Sequence, residues 1–191
     1  QTCALPILNM DGLHTRYEDT TAIYEEIAAS PREEATAIMQ RIYAAPQKPE
    51  LIAKKVEEVK KGGGIAAVSF VPQNAKRMAP LAVEAGADMI VVQGTVVTAR
   101  HSSKSLKGLV FADLIKDLDV PVLVGNTVSY EVTKELMQQG IAGVMVGVGP
   151  GSVCTSREVL GIGIPQVSAT IECAAARDDY FKETGKYIPI I

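Results

Sequence analysis

Short apolar runs alternate along the chain with amphipathic segments. Five runs are rich in Val and Ile and show little polar alternation, as expected for strands buried on both faces of a parallel sheet. They cover Ala66–Val71, Met89–Gln93, Val120–Gly125, Gly143–Val148 and Tyr187–Ile191. Apolar residues three and four positions apart predict helices over Asn74–Ala85, Leu109–Leu118, Ser129–Gln139 and about Ser168–Thr184. The pattern therefore predicts an α/β fold.

Turn and capping residues support these elements. Gly86, Gly140 and Gly185 follow predicted helices, where glycine is the favoured residue, and Ser129 is a predicted N-cap. Segment 84–94 resembles segment 138–147, because each combines a helix end, a glycine and a buried strand. The strand spacing suits a (β/α) barrel or an open doubly wound sheet, and the repeat favours the barrel.

Three polar, amphipathic helices are predicted before these strands, over Asp19–Ser30, Pro31–Ala44 and Pro49–Lys61. The third mixes lysines with glutamates, which is typical of a solvated helix face. We expect all three to decorate the outside of the fold, with an oligomer contact as the alternative.

The composition is that of one globular domain. The chain has 191 residues, 47% hydrophobic and 21% charged. A formal net charge of -3 provides no basic surface for nucleic acid, and no apolar run approaches the roughly 18 residues of a membrane span. We therefore expect a cytoplasmic protein with neither nucleic acid nor a membrane as a partner.

Cysteine and histidine are too sparse for a disulfide framework or a structural zinc site. The cysteines are Cys3, Cys154 and Cys173, and the histidines are His14 and His101. Cys173 lies beside alanines in a predicted helix, so we expect it to pack as a small hydrophobic residue. Both histidines are expected to be surface or structurally satisfied residues.

The two ends of the chain differ from the rest. Residues 1–7 have no initiator Met and no signal-peptide pattern, and they are similar to a translated sequencing adapter. We expect them to be non-native; a genuine strand leading into Leu8 is the alternative. The chain stops within the apolar run 186–191. We therefore expect residues 8–191 to be part of a larger domain, inactive and poorly soluble alone because its sheet would have an open edge.

One cysteine lies in a glycine-rich turn directly after a predicted strand. From Gly147 to Arg157 the sequence is Gly-Val-Gly-Pro-Gly-Ser-Val-Cys-Thr-Ser-Arg. Glycines allow the backbone to approach a ligand closely, so amide and carbonyl groups can converge on a phosphate or a cation. Cys154 would lie at the rim of this cradle, on the face where barrel enzymes build active sites.

This loop resembles the active-site loop of the IMP dehydrogenase/GMP reductase family. The resemblance continues in Gly161–Gln166 and Gly125–Thr127, and in Asp11–Glu18 and Ala174–Tyr180, which are similar to a related branch without the regulatory CBS insert. It implies a (β/α)8 TIM barrel, of which this chain would hold about strands two or three to seven.

The resemblance also implies a reaction. Cys154 would attack C2 of IMP, a hydride would pass to NAD+, and water would hydrolyse the resulting thioimidate to XMP. A thiol suits this step because thiolates are strong nucleophiles near neutral pH. Ser156 stands near the reacting base where the family usually has Thr. Ser152 matches the position that donates to the nucleotide phosphate, Gly151 matches a substrate-binding position, and Asn126 matches a position near the reacting nucleotide.

Two further sites follow from the same resemblance. The backbone carbonyls of Gly149, Gly151 and Cys154 match a potassium site. Gln93, Gly94 and Thr95 match the cofactor-binding positions, where the main branch has an Asp-Ser-Ser run. A Gln side chain can donate to and accept from a hydroxyl but supplies no charge.

The family resemblance leaves the direction of the reaction open. The first interpretation is a purine nucleotide oxidoreductase that converts IMP to XMP with NAD+. The alternatives are a GMP reductase, which would convert GMP to IMP with NADPH, and a non-catalytic nucleotide-binding paralogue. The resemblance implies a homotetramer for the full-length protein.

Overall fold

The computed structural model describes residues 6–99 and 108–191. Five parallel strands form one sheet in the order β1-β2-β3-β4-β5, so each strand pairs with the next along the chain. They span Ile7–Asn9 (β1), Ala67–Phe70 (β2), Met89–Gln93 (β3), Val122–Thr127 (β4) and Gly143–Val146 (β5). A doubly wound sheet reverses its order at a switch point, whereas a barrel keeps the chain order. The observed sheet therefore has the predicted barrel arrangement.

Helices connect the strands at the predicted places. They span Thr21–Ala29 (α1), Arg32–Tyr43 (α2), Pro49–Lys61 (α3), Pro72–Glu84 (α4), Phe111–Lys116 (α5), Tyr130–Gln138 (α6), Ser156–Leu160 (α7) and Gln166–Thr184 (α8). A 3₁₀ turn covers Leu13–Thr15. The sequence did not predict α7, and α4 begins two residues before the predicted Asn74 because Pro72 is well suited to the first helical position.

Strand bounds differ from the predicted ones near proline and glycine. β4 begins after Pro121, which has no N–H for the ladder, and extends past the predicted Gly125 to Thr127. β5 ends at Val146 because Gly147 turns at a φ of 130°. The predicted last strand pairs with β5 over a shorter stretch than expected, with Val146 N donating to Ile191 O at 2.8 Å.

The first strand brings the start of the chain into the sheet. Ile7 pairs with Ala67 and Asn9 with Ser69, in parallel. The non-native origin proposed for residues 1–7 stays a prediction. Residues 1–5 and His101 lie outside the described residues.

Cys173 confirms its expected packing role. The side chain is fully buried in α8, facing α6, where the Thr133 hydroxyl donates to its sulfur at 3.1 Å. Burial raises the pKa of this thiol, which keeps it protonated and unreactive. The buried contact instead anchors α8, the helix that follows the glycine-rich turn.

α3 is a solvated helix, as predicted, only on its polar side, because Leu51, Ile52 and Val56 on its other side are buried. Lys55 pairs with Glu58 at 2.7 Å and Lys61 with Glu57 at 3.6 Å, both on the exposed side of α3. None of the helices within residues 6–99 and 108–191 has the length and apolar character needed to cross a membrane.

Candidate active site

The carboxyl ends of all five strands border one cavity of about 460 Å³. It is lined by Asn9, Asp11, Ser69, Phe70, Val71, Gln93, Gly94, Thr95, Asn126, Gly147, Val148, Gly149, Pro150, Cys154 and Ser156. This volume lies within the range of roughly 300–1,000 Å³ that is typical of small-molecule sites. The position matches the catalytic face of barrel enzymes.

The Cys154 thiol is the nucleophile that this cavity offers. It is half-buried, and its sulfur lies 3.4 Å from the Ser156 hydroxyl oxygen. Hydrogen bonds from the Ser156 hydroxyl and backbone N–H, together with the nearby positive charge of Arg157, lower the pKa of this thiol. These groups therefore favour the thiolate, the reactive form.

Arg157 also braces the loop that carries the thiol. Its guanidinium donates to the carbonyl of Gly149, the third residue after β5. The stem of Arg157 passes close to Gly163, where an added Cβ would lie 2.5 Å from Arg157 Cγ. Ile164 N donates to Val148 O at 3.0 Å. The loop is thus tied across its base by one side chain and one backbone hydrogen bond.

Two amide side chains hold the start of the same loop. Asn126 Nδ2, at the end of β4, donates to Gly147 O at 2.9 Å, and Gln166 Nε2 donates to Val146 O at 3.2 Å. A side chain at Gly147 would be strained by the φ of 130° and would displace the Gln166 amide, because a Cβ there would lie 2.6 Å from Gln166 Oε1. Asn126 therefore sets the position of the loop in addition to lining the cavity.

The predicted cofactor residues contact the predicted nucleotide residue directly. Asn126 N donates to Gly94 O at 3.0 Å, and Gly94 N donates to Gly125 O at 2.9 Å. Gln93 Nε2 lies 3.4 Å from Asn126 Oδ1, a weak hydrogen bond. The ends of β3 and β4 therefore form one wall of the cavity.

Most of the site residues that were predicted from the sequence are found in the lining of this cavity. Cys154, Ser156, Asn126, Gln93, Gly94, Thr95 and Gly149 all line it. Gly151 and Ser152, proposed for substrate binding, lie on the exposed turn beside it and are not among its lining residues.

Two of the three carbonyls proposed for potassium already accept hydrogen bonds within the loop. Gly149 O accepts from Arg157 and Gly151 O accepts from Cys154 N at 3.1 Å. A carbonyl oxygen has two lone pairs, so each retains one for a cation. The donor set has the right chemistry, and potassium stays a prediction.

Sequence reasoning missed the opposite wall, which consists of Asn9, Asp11 and Ser69 at the ends of β1 and β2. Asp11 belongs to the segment quoted only for its resemblance to the CBS-lacking branch. The signal that could have found it is its place just after a strand, but β1 is only three residues long. Within the described parts of the chain no group of three or more His, Cys, Asp or Glu residues could hold a metal ion.

Comparison with known proteins decides the family. The IMP dehydrogenase / GMP reductase domain matches residues 20–191 of this chain. The chain belongs to the IMP dehydrogenase/GMP reductase family. The cavity that contains Cys154 lies at the carboxyl ends of the strands, where the resemblance to this family predicted an active site.

Individual relatives of the family fit the same conclusion. An uncharacterized oxidoreductase from Mycolicibacterium smegmatis is 39% identical over 98% of this chain and 52% of its own length. The inosine-5'-monophosphate dehydrogenase of Cryptosporidium parvum is 38% identical over 53% of this chain and 24% of its own length. The longer match to the oxidoreductase fits the predicted branch without CBS domains.

A solved structure supports the fold independently. The crystal structure of an IMP dehydrogenase/GMP reductase-like protein from Corynebacterium glutamicum superimposes with a TM-score of 0.85 and 33% sequence identity, covering 96% of this chain and 49% of that chain. The chain spans about half the length of the oxidoreductase relatives that it matches.

Proposed function

We propose that the full-length protein oxidises IMP to XMP with NAD+ through a covalent bond between Cys154 and the purine. The family assignment supports an oxidoreductase acting on purine nucleotides. The observation that carries the finer proposal is the Cys154 thiol, activated by Ser156 and lining a cavity of about 460 Å³.

In this proposal the Cys154 thiolate adds to C2 of the hypoxanthine ring. The C2–H bond then breaks, and its hydride leaves with both bonding electrons, so that C2 stays bonded to sulfur as a thioimidate. Water adds to C2, the C–S bond breaks, and XMP and the free thiol are released. Splitting one difficult substitution into two steps in this way is the benefit of covalent catalysis.

Ser156 and Asn126 have separate tasks in this scheme. The Ser156 hydroxyl stabilises the thiolate before attack and again when sulfur leaves, since it lies 3.4 Å from that atom. Asn126 keeps Gly147 in place, and so fixes the direction from which the sulfur approaches the base.

The wall formed by Gln93, Gly94 and Thr95 fits a nicotinamide nucleotide. The Gln93 amide offers a donor and an acceptor, and the Thr95 hydroxyl offers both as well, which suits carboxamide and sugar hydroxyl groups. NAD+ supplies the hydride acceptor when it is bound. A potassium ion on the Gly149, Gly151 and Cys154 carbonyls would steady the turn.

A GMP reductase is the second candidate, because the same sulfur could attack C2 of GMP. A nucleotide-binding paralogue without turnover is the third. It is favoured by the neutral Gln93, which departs from the acidic residue of the main dehydrogenase branch.

Turnover assays of the full-length protein separate the three. IMP with NAD+ should yield NADH, and Cys154→Ala should abolish this activity while still binding IMP. Oxidation of NADPH with GMP, in the absence of NADH formation from IMP, would favour the reductase. Protection of Cys154 from iodoacetamide by IMP without any turnover would favour the binding paralogue.

A further inference from the structure

Asp11 is the one residue of the Asp, Glu, Lys, Arg and His types among the fifteen described residues that line the cavity. The other polar lining groups are neutral amides, hydroxyls and the Cys154 thiol. Asp11 lies just past β1, on the wall formed by the ends of β1 and β2. A bound nucleotide would therefore meet a fixed negative charge on this side.

Three donors from two parts of the chain hold the carboxylate. Oδ2 accepts from Val71 N at 2.6 Å, while Oδ1 accepts from Asn74 Nδ2 at 2.6 Å and from Gln47 Nε2 at 3.0 Å. Gln47 is itself buried and also donates to Met10 O at 2.7 Å. The orientation of the carboxylate is therefore set before any ligand arrives.

This arrangement leaves capacity on one oxygen. A carboxylate oxygen accepts about two hydrogen bonds, so Oδ1 is saturated by its two amide donors and Oδ2 has room for one more donor. The donors that hold Asp11 are neutral, and no cationic side chain within residues 6–99 and 108–191 pairs with it. An anionic acceptor makes a stronger hydrogen bond to a hydroxyl than a neutral acceptor does.

The opposite wall offers weaker acceptors. The Asn126 amide already donates to Gly147 O and accepts from Gln93, and Gln93 has no charge. Ribose hydroxyls need acceptors when water is displaced from them, because an unpaired buried polar group is costly.

We propose that Asp11 Oδ2 accepts a hydrogen bond from a ribose hydroxyl of the nucleotide bound in this cavity, and so supplies the anionic acceptor that Gln93 does not. This inference rests on the proposed function, since it requires a nucleotide ligand. The ribose can belong to the purine nucleotide or to the nicotinamide nucleotide, because both carry the same diol.

Deoxyribose analogues test the inference on the full-length protein without a mutation. Affinity for IMP is measured by protection of Cys154 from iodoacetamide, in parallel with 2'-deoxy-IMP and 3'-deoxy-IMP. The second arm compares KM for NAD+ with KM for analogues that lack one hydroxyl of the nicotinamide ribose. One missing hydroxyl should weaken binding by roughly 10- to 100-fold, as expected for a hydrogen bond to a charged group. The arm that shows this loss identifies the ribose.

In the variant Asp11→Asn, the deoxy analogue should bind only a few-fold more weakly than the parent nucleotide. Asn74→Ala is the matched control, because it removes one donor from the carboxylate but keeps the charge; it should retain the discrimination. The inference would be overturned if Asp11→Asn distinguished the nucleotide from its deoxy analogue as strongly as the wild type does. It would also be overturned if both variants lost this preference.

Failure of the proposed function gives a different result. If neither IMP nor NAD+ binds the wild type, the proposed function and this inference fall together. If IMP protects Cys154 but no deoxy analogue binds more weakly than its parent, only the role of Asp11 is refuted. Because the parent nucleotides and their deoxy analogues are compared on the wild-type protein, the role of Asp11 can be refuted even if Asp11→Asn does not fold.

Discussion

The Cys154 sulfur lies 3.4 Å from the hydroxyl of Ser156, the residue that begins α7. Two positions of one turn thus supply both the nucleophile and the donor that stabilises its anion. The Ser156 hydroxyl and N–H lower the pKa of Cys154 more than any other group does. The thiol should therefore be reactive at a pH where an ordinary cysteine is largely protonated.

Replacing Ser156 by Ala should raise the pKa of Cys154 part of the way to the ordinary value of about 8.5, because the backbone N–H remains. The rate of iodoacetamide alkylation, followed against pH, measures this shift. Ser156→Thr keeps the hydroxyl and should leave the midpoint near that of the wild type, and Ser168→Ala, at an exposed serine of α8, should not move it. An unchanged midpoint in Ser156→Ala would show that the hydroxyl does not stabilise the thiolate.

Arg157→Gln should raise the same midpoint and also loosen the loop, because it removes a positive charge and the bond to Gly149 O. We expect slower alkylation near neutral pH and faster proteolytic cleavage within the loop. Arg157→Lys should keep the midpoint but not the brace, since lysine lacks the planar fork of donors. The control is Arg32→Gln, at an exposed residue of α2. Wild-type cleavage in Arg157→Gln would contradict the bracing role.

Gly125→Ala should destabilise the fold, because an added Cβ would lie 2.4 Å from Met145 Cβ and 2.6 Å from Met145 O. Overpacking of this kind costs about 1–3 kcal/mol, measurable by denaturant unfolding of the full-length protein. Gly62→Ala is the control, since its nearest contact would be an ordinary 3.4 Å. Equal stability of the two variants would mean that β4 and β5 are further apart than the structure places them.

His14 should make the protein less stable in mild acid. Burial and the positive charge of Lys55 hold the pKa of this imidazole below its ordinary value of 6.5, and Nε2 has no hydrogen-bond partner among the residues that the structure describes. The unfolded chain therefore binds the proton more tightly, so stability that is full above about pH 6.5 falls as the pH drops through the folded pKa. His14→Phe should show a smaller loss than the wild type between about pH 7.5 and 5.5. If the free energy of unfolding fell equally with pH in the wild type and in His14→Phe, this role of His14 would be excluded.

Local sequence signals predicted the fold where they were complete within one element. α3 has the predicted bounds because Pro49 starts it and Gly62 follows it, and β3 coincides with a bounded apolar run. β1 and α7 are three and five residues long, too short for periodicity to show.

The part of the candidate site formed by the glycine-rich turn could be predicted from the sequence. Cys154, Ser156 and Asn126 meet in one cavity because the strands that carry them end at the same edge. The Asp11 wall was not predictable, because its partners Gln47 and Val71 lie 36 and 60 positions away and only the folded chain brings them together.

The central claim is that Cys154 forms a covalent bond to the purine during turnover. The most direct test mixes the full-length protein with IMP and NAD+, quenches the reaction with acid and determines the mass of the Cys154 peptide. We predict a Cys154 peptide heavier by one purine nucleotide, formed only when both ligands are present and absent from Cys154→Ala. An unmodified Cys154 peptide during continuing NADH formation would contradict the covalent mechanism.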